Sequence, residues 1–461
     1  MRQWVLAVTL CLLAAGCAAG EAGGDGSTGP VTSTTAASAY PDPPEAPDTP
    51  TPQATAAFTA IVASVEATGS TTDGLDELVE AGDARHAWLV SDLLRFTSDP
   101  ADLDPLVAAF EALTGVDPTG HPSHAGSPWV NITNHLMVWD LPAPPDYRAM
   151  KQQLFTIVEP RWEPFFADTD SAMDWRWVSW GGVLIDDRSL GNDLPCMRGC
   201  IPALDDPELT DASGGAWYPD DAIVFGIALG GEVVALPKNI MEVHEMVNMT
   251  VDGHRLGIPY CTLCGSAQAF FTDGAAAGGI VLRTSGLLNR SNKVMFDLNT
   301  MSVFDTFTGA AVSGPLYDQG VTLEQTTVTA TTWGEWKAAH PDTGIIAEDG
   351  GIGRTYPLDP LRGRDDAGPI FPIGEADPRL PVQARVVGVV TGDGTAVAFA
   401  ADDARTVLAG GEQVTHGGVT LADDGGGLRA ADASGAELPA HEAFWFAWSQ
   451  FHPDTELWTA P

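Results

Sequence analysis

The first regular pattern in the chain is a helical one, which begins after residue 54. Phe58, Ile61, Val62 and Val65 form its first set of apolar positions, three or four residues apart. Similar sets follow at Leu75, Leu78 and Val79, at Trp88, Leu89, Leu93 and Leu94, and at Leu103, Leu106, Val107 and Phe110. Such spacing places apolar side chains on one stripe of each helix. Residues 57–128 are therefore predicted to form a domain of three or four short antiparallel helices.

From residue 221 the pattern changes to that of β-strands joined by tight turns. In residues 223–235 two apolar stretches flank Gly230 and Gly231, and in residues 385–399 two more flank residues 392–394. Apolar runs of this length around a glycine turn are typical of β-hairpins. The chain is thus predicted to be α+β, with an N-terminal short helical domain followed by a mainly antiparallel, β-rich domain with short helices.

One motif occurs twice in the β-rich part and indicates a duplication. The pattern Trp-x-x-Trp-x-x-x-His-Pro-Asp-Thr stands at 333–343 and again at 445–455. Tryptophans three positions apart lie on one face of a helix, and the residue before a proline is disfavoured in a helix. We therefore predict two related halves, at about 219–346 and 382–458, each with a small β unit followed by a helix that carries two tryptophans.

The remaining domain boundaries follow from composition. The segment 129–218 is rich in tryptophan and is predicted to connect the helical domain to the first half, 219–346. Aromatic residues at this density most often form a core or a domain junction. Residues 347–381 are predicted to be a connector, and the second half is taken to extend over 382–461.

The N-terminus has the features of a bacterial lipoprotein signal. Arg2 precedes an apolar run at 4–13, which is too short to span a bilayer as a mature helix. Small residues at 14–16 stand directly before Cys17, and this arrangement resembles a lipobox. On this resemblance residues 1–17 are the signal peptide, and lipid on Cys17 binds the protein to the membrane. An ordinary cleavable signal with an incidental cysteine is the alternative.

The segment after the signal and the overall charge bear on location and partners. Residues 18–56 are predicted to be a disordered linker, because glycine, serine, threonine, alanine and proline bury too little apolar surface to offset the ordering entropy. The formal net charge is -40, with 62 acidic against 22 basic residues. This excess argues against a nucleic-acid partner bound through a basic patch. The expected location is extracytoplasmic, lipid-anchored to the cell membrane or cell envelope.

Candidate chemistry concentrates between residues 244 and 297. The candidate catalytic residues are His244, Glu245, Cys261 and Cys264. Thiols, imidazole and carboxylate are the groups that ligate metals or move protons and electrons. Asn248 follows His244 by four positions, which places both on one face of a predicted helix. Asn248 and Ser285 are the candidate cofactor-binding residues.

Three interpretations of the Cys261 and Cys264 pair stay open. In the first, both cysteines and His244 bind a metal, with copper or zinc as the candidates and Glu245 as an outer ligand or proton acceptor. In the second, the cysteines are a redox dithiol. In the third, they form a disulfide that only staples a hairpin.

A second pair of cysteines, Cys196 and Cys200, completes an even set of four after the signal. An even number in an oxidising compartment permits disulfides. The close spacing makes Cys196 and Cys200 candidates for a local disulfide. A zinc site made of all four cysteines is a minor alternative, against which the oxidising surroundings stand.

Several short motifs occur in a fixed order in the second half of the chain. They are Ile-Pro-Ala-Leu-Asp-Asp-Pro at 201–207, Val-His-Glu-Met-Val-Asn at 243–248, Tyr-Cys-Thr-Leu-Cys-Gly-Ser-Ala at 260–267, Ser-Gly-Leu-Leu at 285–288, Met-Phe-Asp at 295–297 and His-Pro-Asp-Thr at 340–343. Together they resemble the bacterial domain of unknown function 3179 (DUF3179). The resemblance covers about residues 180–461 and implies that family's architecture, without implying an activity.

Two classes of function remain open on the sequence alone. An extracytoplasmic metal or redox enzyme is favoured by the cluster of His244, Glu245, Cys261 and Cys264, which only the first half contains. A non-catalytic lipoprotein that binds a ligand or partner is favoured by the lack of a complete catalytic motif. In that alternative Cys261 and Cys264 form a structural disulfide. The sequence identifies neither a cofactor nor the small-molecule or protein partner.

Overall fold

The structure is a computed structural model that describes residues 40–47, 49, 51–97, 100–120, 127–274, 279–366 and 368–460. The predicted order of elements is confirmed at the coarse level, because N-terminal helices precede a β-rich region of small, mainly antiparallel sheets. The helices of the N-terminal part are α1 (Pro52–Thr68), α2 (Leu75–Glu80), α3 (Ala87–Phe96), α4 (Pro100–Thr114), α5 (Pro128–Val138), α6 (Tyr147–Val158) and α7 (Glu163–Ala167).

The β-rich region consists of short strands with a few short helices between them. Its strands up to residue 271 are β1 (Val178–Trp180), β2 (Leu204–Asp205), β3 (Leu209–Asp211), β4 (Ile223–Leu229), β5 (Glu232–Pro237), β6 (Met246–Val251), β7 (His254–Cys261), β8 (Ser266–Ala267) and β9 (Ala269–Phe271). The strands from 282 to 346 are β10 (Leu282–Asn289), β11 (Asn292–Asp297), β12 (Val303–Asp305), β13 (Ala311–Ser313), β14 (Gln325–Thr326), β15 (Thr329–Thr332) and β16 (Gly344–Ile346).

The last part of the chain also consists of short strands with short helices between them. Its strands are β17 (Arg385–Val390), β18 (Ala396–Ala400), β19 (Val414–His416), β20 (Val419–Asp424), β21 (Gly427–Asp432), β22 (Glu437–Leu438), β23 (Ala440–Phe444) and β24 (Glu456–Trp458). The helices of the β-rich region are α8 (Lys238–His244), α9 (Pro315–Asp318), α10 (Trp333–Ala339), α11 (Ala401–Ala409) and α12 (Trp445–Phe451).

One hydrophobic core joins the N-terminal helices to the first sheet. Phe58 of α1, Trp88 of α3 and Phe110 of α4 are 2%, 1% and 0% exposed, and Phe296 of β11 lies in the same core. Burial of each such side chain contributes roughly 1.5–3 kcal/mol relative to leaving it in water. Because the helices continue to α7 and share this core, the helical part extends past residue 128 into the predicted connecting region.

Five small sheets make up the β-rich region, in a propeller-like arrangement. Their strand orders are β1-β10-β11-β12-β13, β14-β9-β7-β6-β2 with β8 added at β7, β15-β4-β5-β16-β3, β23-β17-β18-β24, and β19-β20-β21-β22. Most pairs are antiparallel, while β2 with β6, β5 with β16 and β18 with β24 are parallel. The second sheet positions the candidate site, because β6 and β7 connect the end of α8 to Cys261.

The prediction of a duplicated domain is corrected by this arrangement. The segment 219–346 contributes strands to three of the five sheets, whereas 382–458 contributes strands to two. The region is therefore a series of sheets and does not consist of two copies of one domain. The repeated tryptophan motif reflects a local similarity between two of the sheets. In each sheet a hairpin pairs with a further strand, a short helix follows that strand, and the next strand joins the hairpin in parallel.

That local similarity lies in the two tryptophan helices, α10 and α12. The indole N–H of Trp336 donates a hydrogen bond to the Thr343 hydroxyl, and that of Trp448 donates one to the Thr455 hydroxyl, both at 3.0 Å. All four side chains are at most 2% exposed. The Trp and Thr positions of the repeated motif thus satisfy each other's polar groups inside the core.

A glycine on the neighbouring strand leaves room for each of these indole rings. A Cβ atom at Gly226 of β4 would lie 2.4 Å from the Trp336 ring, and one at Gly388 of β17 would lie 2.0 Å from the Trp448 ring. Both distances are well below van der Waals contact. Glycine is therefore required for the rings to lie directly on the backbone of the strand.

Candidate functional site

The structure separates the predicted site residues at the end of helix α8. His244 is the last residue of the helix, and Glu245 adopts a left-handed conformation with φ of 50° before β6 begins. This turn reverses the chain, so that His244 and Glu245 line two different cavities. Asn248 lies on strand β6, and the prediction that it shares a helix face with His244 is wrong.

His244 is held by two hydrogen bonds and is 1% exposed. Its Nδ1 lies 2.7 Å from the carbonyl oxygen of Pro202, and its Nε2 lies 2.7 Å from the hydroxyl oxygen of Tyr356. A carbonyl only accepts, so Nδ1–H donates to Pro202 and Nε2 accepts from the Tyr356 hydroxyl. Burial lowers the pKa of His244 to about 4, which keeps the ring neutral.

The predicted metal site of Cys261, Cys264 and His244 is corrected by these contacts. Both ring nitrogens of His244 are already engaged, and the ring faces the cavity that the two cysteine sulfurs do not line. Among the residues that the structure describes, no group of three or more histidine, cysteine, aspartate and glutamate side chains is arranged to hold a metal ion. The structure therefore does not bring His244 together with Cys261 and Cys264 as one set of ligands.

The two cysteines lie at the end of β7, where the chain makes one turn of 3-10 helix at 262–264. Cys261 is 4% exposed and Cys264 is 0% exposed, and their sulfur atoms are hydrogen-bonded at 2.8 Å. The backbone carbonyl of Ser291 lies 3.9 Å from the Cys261 sulfur and 3.6 Å from the Cys264 sulfur. Both cysteines are free thiols in this structure.

Lys293 brings a buried ammonium group next to this pair. The side chain is 3% exposed, and its Nζ donates to the backbone carbonyl of Glu245 and lies 3.4 Å from the Glu245 carboxylate. The Thr262 hydroxyl donates to the other carboxylate oxygen of Glu245 at 3.2 Å. The charge on Cys261 is also near enough to raise the pKa of Lys293. The Cys261 thiol, the Lys293 amine and the Glu245 carboxylate thus line one pocket, with Cys264 buried behind Cys261.

The surroundings move the pKa values of the two thiols in opposite directions. For Cys261, burial raises the pKa, but the hydrogen bond with Cys264 and the backbone N–H groups of Lys293 and Cys264 lower it below its usual range. For Cys264, burial and the hydrogen bond with Cys261 raise the pKa. Burial lowers the pKa of Lys293, and the charges of Glu245 and Cys261 oppose that change. Cys261 is therefore the thiol that ionises first.

A small cavity of about 70 Å³ opens onto this group, and we call it the dithiol cavity. Its lining includes Glu245, Cys261, Thr262, Ser291, Lys293 and Ile201. The volume is small compared with the roughly 300–1,000 Å³ of typical ligand sites. The Ser291 hydroxyl in this lining is buried.

A larger cleft of about 480 Å³ lies on the other side of residues 200–203, and we call it the disulfide cleft. Cys196 and Cys200, the predicted local pair, form a disulfide that lines it. His244, Pro202 and Arg354 contribute to its lining. The histidine that the sequence grouped with Cys261 thus lies beside the other pair of cysteines.

The two predicted cofactor-binding residues have structural partners. Asn248 is 1% exposed and its side-chain amide donates to the Asp205 carboxylate at 3.0 Å and to the carbonyl of Leu282 at 3.2 Å. The Ser285 hydroxyl donates to the carbonyl of Val294 at 2.6 Å and accepts from the backbone N–H of Leu287 at 3.0 Å. Neither residue lines the dithiol cavity or the disulfide cleft.

Sequence reasoning missed Lys293, Ser291, Thr262 and Tyr356 as residues of these sites. Lys293 carried one usable signal, because it is one of only four lysines in the sequence and lies within an apolar strand. Tyr356 carried no signal, because it is 112 positions from His244 and the two meet only in the folded chain.

The predicted anchor, Cys17, lies outside the residues that the structure describes. The lipid attachment and the linker up to residue 39 therefore stay predictions, whereas residues 52–56 of the predicted linker belong to helix α1. Within the described ranges, no helix combines the length and the apolar composition that spanning a membrane requires.

Comparison with known proteins agrees with the resemblance seen in the sequence. The model of a family described as "Protein of unknown function (DUF3179)" matches residues 198–422. Both the dithiol cavity and the disulfide cleft draw most of their lining from this range. Searches of curated proteins and of solved structures returned no match.

Proposed function

We propose, for a chain whose residues 198–422 belong to the DUF3179 family, that Cys261 and Cys264 are a redox-active dithiol. One observation carries the proposal, namely that two free thiols lie 2.8 Å apart beside the buried amine of Lys293. A disulfide bond is about 2.05 Å long, so the sulfur atoms need to approach by less than an ångström to bond. The pair therefore cycles between two thiols and an intramolecular disulfide.

In this proposal Cys261 is the nucleophile. Its thiolate attacks one sulfur of a disulfide-bonded compound, forms a mixed disulfide and releases the other sulfur as a thiolate. Cys264 keeps its proton until this point because its pKa is raised. It then loses that proton and attacks the Cys261 sulfur, which releases the second thiolate. Two electrons and two protons leave the Cys261 and Cys264 pair, and the compound gains both.

Lys293 is proposed as the group that takes up the proton of Cys264. Burial lowers the pKa of Lys293, which makes the neutral amine, the form that accepts a proton, easier to reach than in an exposed lysine. Glu245 holds the Lys293 side chain through its carbonyl and carboxylate and stabilises the ammonium after the transfer. The proposal keeps the expected extracytoplasmic, lipid-anchored setting, where disulfide compounds are available.

The test is a redox titration of the folded protein. Samples are equilibrated in buffers of oxidised and reduced glutathione or dithiothreitol, quenched with acid, unfolded and alkylated, and the state of Cys261 and Cys264 is read by peptide mass spectrometry. We expect complete interconversion with a midpoint between about -270 and -120 mV, the range of known protein dithiols. A bond that forms only on unfolding, or that resists reduction until unfolding, would instead support the structural disulfide of a non-catalytic protein.

Lys293→Met tests the role of the amine, and Lys337→Met is its matched control. Lys337 is 29% exposed and pairs with Asp220 at the surface, away from both cavities. In Lys293→Met we expect oxidation of the Cys261 and Cys264 pair at pH 7 to slow by about tenfold, which is the effect of a change of one pKa unit in the thiol or in the base that deprotonates it. In Lys337→Met we expect no change. Equal rates in both variants would contradict the role of Lys293.

A further inference from the structure

The surroundings of the Cys196–Cys200 disulfide suit thiol–disulfide exchange with another protein. It lines the disulfide cleft, whose volume of about 480 Å³ falls in the range of ligand sites. Among the described residues six large apolar side chains are exposed, and three of them, Leu190, Leu194 and Met197, lie in the loop around this disulfide at 48%, 71% and 91% exposure. Apolar side chains clustered at a surface mark contact with another protein.

The dithiol cavity, by contrast, excludes such a partner. Cys264 is 0% exposed and Cys261 is 4% exposed, and the cavity volume is about 70 Å³. A cysteine on another protein cannot reach either sulfur through this opening. If the buried pair exchanges electrons with protein thiols, an intermediate carrier is required.

A thin partition separates the two sulfur pairs. Cys200, Pro202 and Ala203 line the disulfide cleft, while Ile201 between them lines the dithiol cavity. Asp186 lies near both the disulfide and the dithiol cavity. Its carboxylate is 3.6 Å from the Cys200 sulfur, and its negative charge influences the pKa of Lys293. Cys200 is therefore the cysteine of its pair that is joined in the chain to a residue lining the dithiol cavity, Ile201.

We propose that Cys196–Cys200 is a relay disulfide that accepts electrons from the buried Cys261 and Cys264 pair and passes them to a disulfide of a partner protein docked on the loop at 190–200. The inference rests on the proposed function, because it assumes that the buried pair is redox-active. It adds the class of the partner and the path between the pairs.

The internal step balances within the chain. The Cys261 thiolate attacks the Cys200 sulfur, the Cys196–Cys200 bond breaks, and Cys196 leaves as a thiolate that takes up a proton. Cys264 then gives up its proton, attacks Cys261 and displaces Cys200 as a thiolate. Cys261 and Cys264 are oxidised to a disulfide, and Cys196 and Cys200 are reduced to two thiols. The partner disulfide is reduced in the same way by Cys196 and Cys200, which reform their bond.

The intermediate can be trapped with two variants. In Cys196→Ser with Cys264→Ser, the two cysteines that remain in the described part of the chain are Cys200 and Cys261, and mild oxidation with diamide is expected to join them. In the matched control, Cys200→Ser with Cys264→Ser, Cys196 and Cys261 remain in that part, and we expect at least fivefold less cross-link because Cys196, unlike Cys200, does not adjoin Ile201 in the chain. Peptide mass spectrometry of the unreduced protein measures both products, and an equal or absent Cys200–Cys261 cross-link overturns the relay.

Kinetics on the intact pair provide a second measurement that does not depend on those variants. Reduced protein is mixed with an oxidised thioredoxin-type protein as the probe, and the oxidation of Cys261 and Cys264 is followed after acid quench. Removal of the relay in Cys196→Ala with Cys200→Ala is expected to slow this oxidation at least tenfold, while diamide, a small oxidant, still oxidises the buried pair at the rate of the unmodified protein.

The outcomes separate the two proposals. An unchanged rate with the protein probe overturns the relay and leaves the dithiol proposal standing. A buried pair that diamide fails to oxidise in the variant and in the unmodified protein overturns the proposed function itself. Leu194→Ser with Met197→Ser tests the docking surface: the rate with the protein probe is expected to fall severalfold while the rate with diamide stays the same, and an unchanged rate with the protein probe removes the docking part.

Discussion

The burial of His244 makes stability depend on pH in a way that can be calculated. The folded pKa of about 4 compares with 6.5 for an unperturbed histidine. Above pH 6.5 the ring is neutral in the folded and in the unfolded protein, so its titration does not change the free energy of unfolding. As the pH falls from 6.5 to 4, the unfolded chain binds a proton that the folded protein does not bind, so the free energy of unfolding decreases. The full loss, reached below pH 4, is roughly 3 kcal/mol at 1.36 kcal/mol per pKa unit.

His244→Gln isolates this contribution. Glutamine keeps an acceptor and a donor for Tyr356 and Pro202 but has no group that titrates between pH 4 and 6.5. The free energy of unfolding is measured by urea denaturation at constant ionic strength from pH 4 to 8. We expect the variant to be less stable than the unmodified protein at pH 7.5 and to lose about 3 kcal/mol less between pH 6.5 and 4.

His441 and His452 require a difference measurement, because their pKa values are also lowered, to about 3 and about 4. Both remain in the variant and cancel when the two curves are subtracted. A difference curve that is flat between pH 6.5 and 4 would refute the assignment of His244 as a buried neutral histidine. The ring would then be charged in the folded protein or bound to another group.

Two further predictions concern other parts of the chain. Lys151→Met removes the ammonium 2.7 Å from Asp92 in the helical core and leaves that carboxylate buried, so urea denaturation should show a loss of about 3–5 kcal/mol. Adding Asp92→Leu should recover much of the loss, and a double variant as unstable as the single one contradicts the account. Cys17→Ser should shift the protein from the membrane to the soluble fraction on cell fractionation, and unchanged membrane binding rules out the lipid anchor.

The parts of the fold that could be predicted are those set by local pattern. The helical stripe of Phe58 and Ile61 and the repeated Trp-x-x-Trp motif depend on the spacing of neighbours in sequence, and the structure has helices at both places. The inference from the motif to a duplicated domain failed for a physical reason. A Trp and Thr pair over a glycine stabilises one helix against one strand, and this requirement does not determine how many sheets surround it.

The parts of the site that could not be predicted depend on a single backbone angle and on distant contacts. Glutamate gives no signal of a left-handed conformation, which at φ of 50° ends the helix at His244 and directs Asn248 into a strand. The pairing of Lys293 with Glu245 joins residues 48 positions apart. The sequence thus singled out the cysteines and the histidine as candidates, while their division between two cavities required the fold.

The left-handed backbone conformation of Glu245 at the end of α8 also limits which substitutions this protein can accept. Positions 244 and 245 are consecutive, yet one lines the disulfide cleft and the other lines the dithiol cavity. Glycine at 245 would relieve the backbone but remove the carboxylate that holds Lys293, and other residues would keep the strain without that contact. Substitutions in one cavity are therefore not independent of the other. Homologues are expected to change positions 244, 245, 293 and 356 together, as one inherited unit.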